Sequence, residues 1–449
     1  MKLIRTLKDP LYDAVTNIYE LPRGTKVVHT LDAKTVETAI NIVVKVGDVY
    51  DIMLNLPHGT SHFLEHMLSA NPNSIFKTKD SLDKYKLGNL THAPMYENAS
   101  TGYKTMYFWG TINSDFEDRL MKMLYSYIIY PTELFSKYIE KERKIIIAER
   151  NGKEKQNESE NYAYYKQLFK FKDIKLYHNG LGEIEDIKSI TTEHLQTLYK
   201  ARFSKGNVAI SIQSNQEISP KVKDYLYKID EFIQKNVQPK LQLIEDKPEN
   251  KKNIGAFKKL QNQGVRVELG FFEKYPSKVD YKERAALSII NMLLSKVNFE
   301  IMREKLGLIY SSNEGLSSYQ LIGHVTRYIS YVTDLDNVQK LINRSKKLLH
   351  EDVFKFIHSK KGQEWFASKQ SSLIYPFTKE YDNEYATGIA DTILAERELV
   401  DMEKFVKQYK NIKIEDVVNV FKNKYLPVEK YLWIVSDQEP DEILKKIKY

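Results

Sequence analysis

The sequence predicts an α+β protein made of two homologous α/β domains, and three observations lead to that class. At 449 residues the chain exceeds what one ordinary hydrophobic core supports. Its 42% apolar and 12% aromatic content, with 31 Tyr, belongs to a folded chain rather than a disordered one. The third observation is a duplication. Ile190, Glu193, Leu195, Leu198, Tyr199 and Phe203 recur at the same spacing as Ile412, Glu415, Val417, Val420, Phe421 and Tyr425. In both copies a short loop and an apolar strand follow, at 208–212 and 431–435. Each half also opens with a strand and then a helix, the strands falling at 39–46 and 265–272. A repeat this long is a duplicated domain, not a solenoid period. Each copy reads as a sheet with helices mainly on one face. The first domain spans 1–237 and the second 259–449, joined by an exposed linker at 238–258 rich in Lys, Glu, Asn and Pro.

The elements follow in order. Segments 25–29 and 39–46 are rich in β-branched residues and read as strands. After a mixed stretch, Gly59 opens a helix that Thr60 or Ser61 can cap. Residues 71–88 combine turn residues with many Lys and read as an irregular insertion plus a helix. A strand at 103–111 precedes a helix at 114–130, marked by the spacing of Phe116, Leu120, Met123, Leu124 and Tyr127 and ended by Pro131. The next helix starts near 132 and carries Phe135, Ile139, Ile146 and Ile147. Its Glu142 and Glu149 are seven residues apart, two helical turns, and share a face. Residues 162–171 continue helical, and 178–182 form a loop.

Charge narrows the function classes. The formal net charge of +8 comes from 68 basic and 60 acidic residues interspersed along the chain, with no dense Arg/Lys run among aromatics, so no nucleic-acid partner is expected. With no Cys, disulfides, thiol nucleophiles and Cys-ligated zinc are all excluded. The first residues contain no apolar signal core, and no stretch approaches a membrane span. The expected compartment is the cytoplasm.

The chemistry concentrates in His62-x-x-Glu65-His66. On a helix, residues four apart lie one above the other, so His62 and His66 can face one metal ion with Glu65 close by. Two His, a carboxylate and an open water position describe a catalytic zinc site, with Glu65 as the base for the water. The plain alternative is a pair of satisfied surface histidines.

These residues resemble the pitrilysin/insulinase family of inverzincin metallopeptidases, whose signature is this inverted motif. The likeness is to the short bacterial members and to mitochondrial processing peptidase. Gly59 and the run from His62 to Met67 match the family's motif context, and Asn98-Ala99-Ser100-Thr101 matches its Asn-Ala-x-Thr strand. Glu142-Arg143 through Glu149 looks like its Glu-Arg-x-x-x-x-x-Glu helix, and the segment containing Arg303 and Tyr310 like its Arg/Tyr pair. The resemblance implies that each domain is a mainly antiparallel sheet. It also implies one zinc ion per chain on His62, His66 and Glu149, with Glu142 supporting the site. Counting from His66 points instead to Glu142 as third ligand, whereas the ungapped Glu-Arg text points to Glu149. Asn98 and Ala99 would lie on an edge strand that pairs with the substrate backbone, and Arg303 and Tyr310 would steady the oxyanion. In the family that pair comes from the half opposite the zinc, so a homodimer, or a heterodimer with a paralogous subunit, is implied.

The function expected is therefore zinc-dependent endopeptidase action on unfolded peptides inside a dimeric chamber. A non-catalytic peptide-binding or scaffolding subunit is the main alternative. An S-ribosylhomocysteine lyase type enzyme shares the motif but relies on a Cys, which this chain lacks.

Overall fold

Period-two alternation along residues 37–44 turns Ile40, Ile42 and Val44 to one side of a strand. In the computed structural model this strand, β4 (Glu37–Val44), lies inside a seven-stranded sheet. The structure describes residues 1–10, 14–88, 94–152, 160–168, 180–233, 253–259, 264–274, 278–319, 324–372, 385–426 and 431–449. The other strands are β1 (Lys2–Asp9), β2 (Ala14–Glu20), β3 (Lys26–Leu31), β5 (Tyr96–Thr101), β6 (Met106–Asn113) and β7 (Val208–Ser214). Their order is β1-β2-β3-β7-β4-β6-β5, antiparallel except for the parallel pair β3 and β7. β5 is therefore an edge strand.

The helices of the first half are α1 (Asp48–Met53), α2 (Thr60–Ser69), α3 (Lys79–Leu87), α4 (Glu117–Ile128), α5 (Phe135–Asn151), α6 (Glu160–Leu168), α7 (Ile184–Ser189), α8 (Thr192–Arg202) and α9 (Pro220–Ile233). On α4, Leu120, Leu124 and Tyr127 recur every three to four residues and are fully buried. They meet the sheet where β6 presents Phe108, whose ring lies 5.7 Å from that of Tyr127.

The second sheet consists of β8 (Asn253–Lys258), β9 (Val265–Lys274), β10 (Ser311–Tyr319), β11 (His324–Thr333) and β12 (Tyr431–Ser436). Its order, β8-β12-β9-β11-β10, repeats β3-β7-β4-β6-β5, and the parallel pair β8/β12 stands where β3/β7 stands in the first sheet. The remaining helices are α10 (Tyr281–Val297), α11 (Val338–Lys347), α12 (Val353–His358), α13 (Lys360–Ser372), α14 (Tyr385–Leu394), α15 (Met402–Asn411), α16 (Ile414–Lys424) and α17 (Pro440–Lys446). The duplicated helix text is α8 and α16, each leading into the strand that forms the parallel pair.

The chain divides into two compact units that exchange segments. The first takes Met1–Gln156, His178–Leu243 and Thr378–Met402; the second takes Asn157–Tyr177, Ile244–Phe377 and Glu403–Tyr449. Helix α14, late in the sequence, packs on β7 and β3 of the first sheet through Ala386, Ala390 and Leu394 against Val28, Val43 and Ala209. Helix α6 lies against β8, where Gln167 both accepts from the Ala256 amide and donates to the Ala256 carbonyl, each at 3.1 Å.

Helices lie mainly on one face of each sheet, while α14 covers the side of the first sheet opposite α4 and α6 packs on β12 through Tyr164 and Trp433. Two expectations need correction. Residues 253–258, expected as linker, form β8, while 238–252 lie outside the described residues. The segment Tyr281–Lys305 does reach the length and apolarity of a membrane span. Its apolar stripe, including Ala285, Ile289, Leu293 and Val297, is buried in the second unit.

Candidate metal centre

Helix α2 begins at a tight backbone crossing. Gly59 is left-handed at φ 84°, and a Cβ there would lie 2.3 Å from the Leu181 carbonyl oxygen. Gly182, at φ 71°, approaches the His58 carbonyl just as closely. Only glycine fits both places. Neither Thr60 nor Ser61 caps the helix, contrary to expectation, and Gly59 holds the cap position. The amide and hydroxyl of Ser61 instead donate to the Asp51 carboxylate of α1 at 3.1 and 2.6 Å. Burial pushes the Asp51 carboxyl up to about 7 in spite of these bonds. Asp48, buried beside it, is raised by the same desolvation and by the Asp51 charge.

One turn apart on α2, the rings of His62 and His66 meet edge to face with centroids 4.7 Å apart. Helix α5 packs on α2 and brings Glu149 to them, with Oε2 3.7 Å from Nε2 of each ring. One ligand atom from each of the three residues lies within 4.8 Å of the others. Zinc with ligands at about 2.0–2.2 Å in tetrahedral array sets donor atoms about 3.4 Å apart. The donor types and spacing fit that ion with a small inward movement.

Glu142, two turns earlier on α5, is fully buried and stands on the other side of His66, with Oε2 3.4 Å from Nδ1. Lys141 donates to its Oε1 at 3.0 Å and to Asn71 at 3.3 Å, and Asn71 donates to the His66 carbonyl at 3.2 Å. Burial alone would raise the Glu142 carboxyl, but His66 and Lys141 outweigh it and hold the group low. Burial likewise pulls His66 down, and the carboxylates of Glu142, Glu65 and Glu149 outweigh that to raise it.

Glu65 is 8% exposed and accepts a 2.8 Å hydrogen bond from the Thr101 hydroxyl on β5. Desolvation raises its carboxyl above the ordinary range, with Thr101 and His66 opposing. A buried carboxylate so placed can take a proton and return it.

The first unit thus gathers His62, His66, Glu65, Glu142 and Glu149, with the edge strand of Asn98 and Ala99 tied in through Thr101. Asn98 is exposed, and its Oδ1 accepts the Ala99 amide at 2.8 Å. Arg303 and Tyr310 lie in the second unit, both lining a groove of about 820 Å³. Arg303 sits on the π-helical segment Asn298–Lys305 with its guanidinium 5.5 Å from the Phe299 ring. The exposed Tyr310 hydroxyl donates to Asp334 at 2.9 Å, which raises its pKa. Sequence reasoning quoted Thr101 without giving it a role and did not single out Asp51 or Asn71. All three act through contacts between separate elements, although Thr101's place in the Asn-Ala-x-Thr run was a usable signal.

The two-sheet α+β fold carries a His-His-Glu donor set, with a neighbouring buried Glu, that could hold a metal ion, and comparison with known proteins finds a peptidase family. Residues 26–174 match the family described as Insulinase (Peptidase family M16), and residues 189–351 match Peptidase M16 inactive domain. The chain belongs to this pitrilysin-type M16 peptidase family. A Rickettsia felis protein described as an uncharacterized zinc protease is 24% identical over 416 residues, covering 90% of this chain and 93% of its own length. Among solved structures, the periplasmic protease PqqL of Escherichia coli superposes with a TM-score of 0.78 at 12% identity, covering 100% of this chain and 49% of PqqL. A protease from Helicobacter pylori does so at 0.70 and 17% identity, with 94% and 99% covered. Pitrilysin gives 0.70 at 17% identity, with 98% and 47% covered.

Proposed function

We propose that this chain is a zinc-dependent endopeptidase that hydrolyses unfolded peptides. The observation that carries the reading is the position of Glu65, held by Thr101 next to the donor set of His62, His66 and Glu149. Zinc bound there would supply Lewis-acid polarisation of water and of the scissile carbonyl. Glu65 takes the proton of the attacking water and returns it to the leaving amine. Glu142 fixes the orientation of His66 through Nδ1. The exposed edge of β5 pairs with the substrate main chain at Asn98 and Ala99, giving affinity without strict sequence preference. Arg303 and Tyr310 supply a cation and a phenol for the oxyanion, and Tyr310 must leave Asp334 to donate.

The reading includes a dimer, in which Arg303 and Tyr310 of one subunit complete the site of another. Because one chain carries both residue sets, a homodimer comes first and a heterodimer with a paralogous subunit second. Zinc content, native mass and cleavage mapping of a peptide mixture test these points on one sample. Wild-type protein should hold one zinc per chain and cleave; Glu65→Gln should keep the zinc and lose cleavage. A fully active Glu65→Gln protein sinks the mechanism, and wild-type protein without zinc at neutral pH favours a non-catalytic peptide-binding subunit.

A further inference from the structure

The far side of the proposed substrate-pairing strand carries a second feature. In the first unit, cross-strand neighbours run from Tyr96 on β5 through Thr111 toward Gln213, and from Asn98 through Trp109 to Asn41. Strand alternation puts these side chains on the face opposite Thr101 and Glu65. With α14 as a wall, Asn41, Asn98, Trp109, Thr111 and Gln213 line a cavity of about 590 Å³, and Tyr96 stands beside it against Trp109. No cationic side chain lines it among the described residues. Its one ionisable carboxyl, Asp391, accepts the Tyr107 phenol at 2.5 Å, and burial raises its pKa. Tyr96 is 61% exposed, and its ring lies 5.4 Å from that of Trp109. Gln213 is 2% exposed, and both of its amide atoms, like Asn41 Oδ1, lack a hydrogen-bond partner among the described residues. Polar atoms buried in that condition are unusual unless water or a ligand meets them.

We infer that this cavity is a specificity site that takes uncharged side chains, aromatic ones above all, from a peptide paired with β5. The inference rests on the peptide-pairing reading above. Residues of an added strand point alternately to the two faces, so every second side chain passes over this wall. An anionic side chain desolvated there would find no cation among the lining residues, and a cationic one only Asp391, whose carboxyl already accepts the Tyr107 phenol, so both would be disfavoured. Thr101, which touches Glu65, is three residues from Asn98 and five from Tyr96. These separations correspond to about 10 and about 17 Å along the strand. The selected positions therefore lie about three and five residues from the cut, at alternate places.

Cleavage mapping of a mixed peptide library with wild type, Tyr96→Ala and Trp109→Ala tests this. A second arm measures protection of β5 amides from hydrogen exchange in Glu65→Gln protein by an uncharged Tyr-rich peptide and by a Lys-rich one. The expected result is a preference of about three- to tenfold for uncharged aromatic residues at those positions, lost in both variants. The exposed Tyr96 variant serves if Trp109→Ala fails to fold. Cleavage patterns unchanged by either substitution overturn the inference while leaving peptidase action standing. Protection by the uncharged peptide alone, with no cleavage by wild type, overturns peptidase action and leaves the site standing. Equal protection by both peptides, or by neither, overturns the site.

Discussion

Glu142 Oε2 lies 3.4 Å from Nδ1 of His66, while Nε2 of the same ring lies 3.7 Å from Glu149. A neutral imidazole has one donor nitrogen and one acceptor nitrogen, so a carboxylate at Nδ1 fixes the proton there and leaves the Nε2 lone pair for a metal. Glu142→Gln should therefore weaken zinc binding about 10- to 100-fold, the usual loss when such an outer partner is changed. Glu149→Gln, which alters a ligand, should cost more. Competition with a chromogenic chelator measures both. The opposite ranking of the two variants would exchange their roles.

The choice between these two glutamates shows where sequence reasoning stops. Seven residues is nearly two whole turns, so periodicity places both on one face of α5 and cannot say which meets the histidines. Only the docking of α5 on α2 decides. The duplicated helices were legible because each leads into a buried apolar strand inside its sheet. The strand β8 was not, because it is a short sheet edge whose order comes from Gln167 and the parallel partner β12, far away in sequence. The helix start at Gly59 misled for a similar reason: Thr60 and Ser61 look like caps, but Asp51 already serves Ser61.

Thr101 tunes Glu65 through one hydrogen bond of 2.8 Å. That bond lowers the Glu65 pKa against the desolvation that raises it. Thr101→Val removes the donor at nearly constant volume, so the carboxyl should titrate higher. If Glu65 is the base, it must be ionised to act, and the acid limb of the kcat/KM profile should move to higher pH. Activity at neutral pH should fall by about tenfold, as one lost charge-assisted hydrogen bond allows. Zinc content should not change. An acid limb that stays in place would separate Glu65 from the rate.

The glycine crossing at the start of α2 makes a prediction about assembly of the site. In Gly59→Ala the new Cβ meets the Leu181 carbonyl at 2.3 Å, and the backbone must hold φ 84° with a side chain. Close contact and left-handed strain each cost about 1–3 kcal/mol. The melting temperature should fall, and zinc affinity with it, because the helix that carries His62 and His66 must shift. Ala substituted at Gly206, also at positive φ but with nothing within 4 Å, is the control for strain alone and should leave zinc binding intact.

Asp51 gives the fold a pH dependence whose sign can be worked out. An aspartate ordinarily titrates near 3.8, and burial moves this one to about 7. Between those values the native state holds a proton that the unfolded chain releases. Asp51 therefore contributes stability that is complete below about pH 4 and is lost as pH rises through 7. Asp48, raised by burial and by the Asp51 charge, adds a slope of the same sign. Asp51→Asn cannot ionise. It should be less stable than wild type at pH 4.5, by about 1 kcal/mol for the weakened bonds to Ser61. It should gain on wild type steadily up to pH 7.5, and it also relieves Asp48. Thermal melting of both proteins at several pH values measures the difference, in which titration of Glu65 and His66 cancels. A wild-type-minus-variant difference that stays flat over this range would mean that Asp51 is ionised in the folded protein throughout.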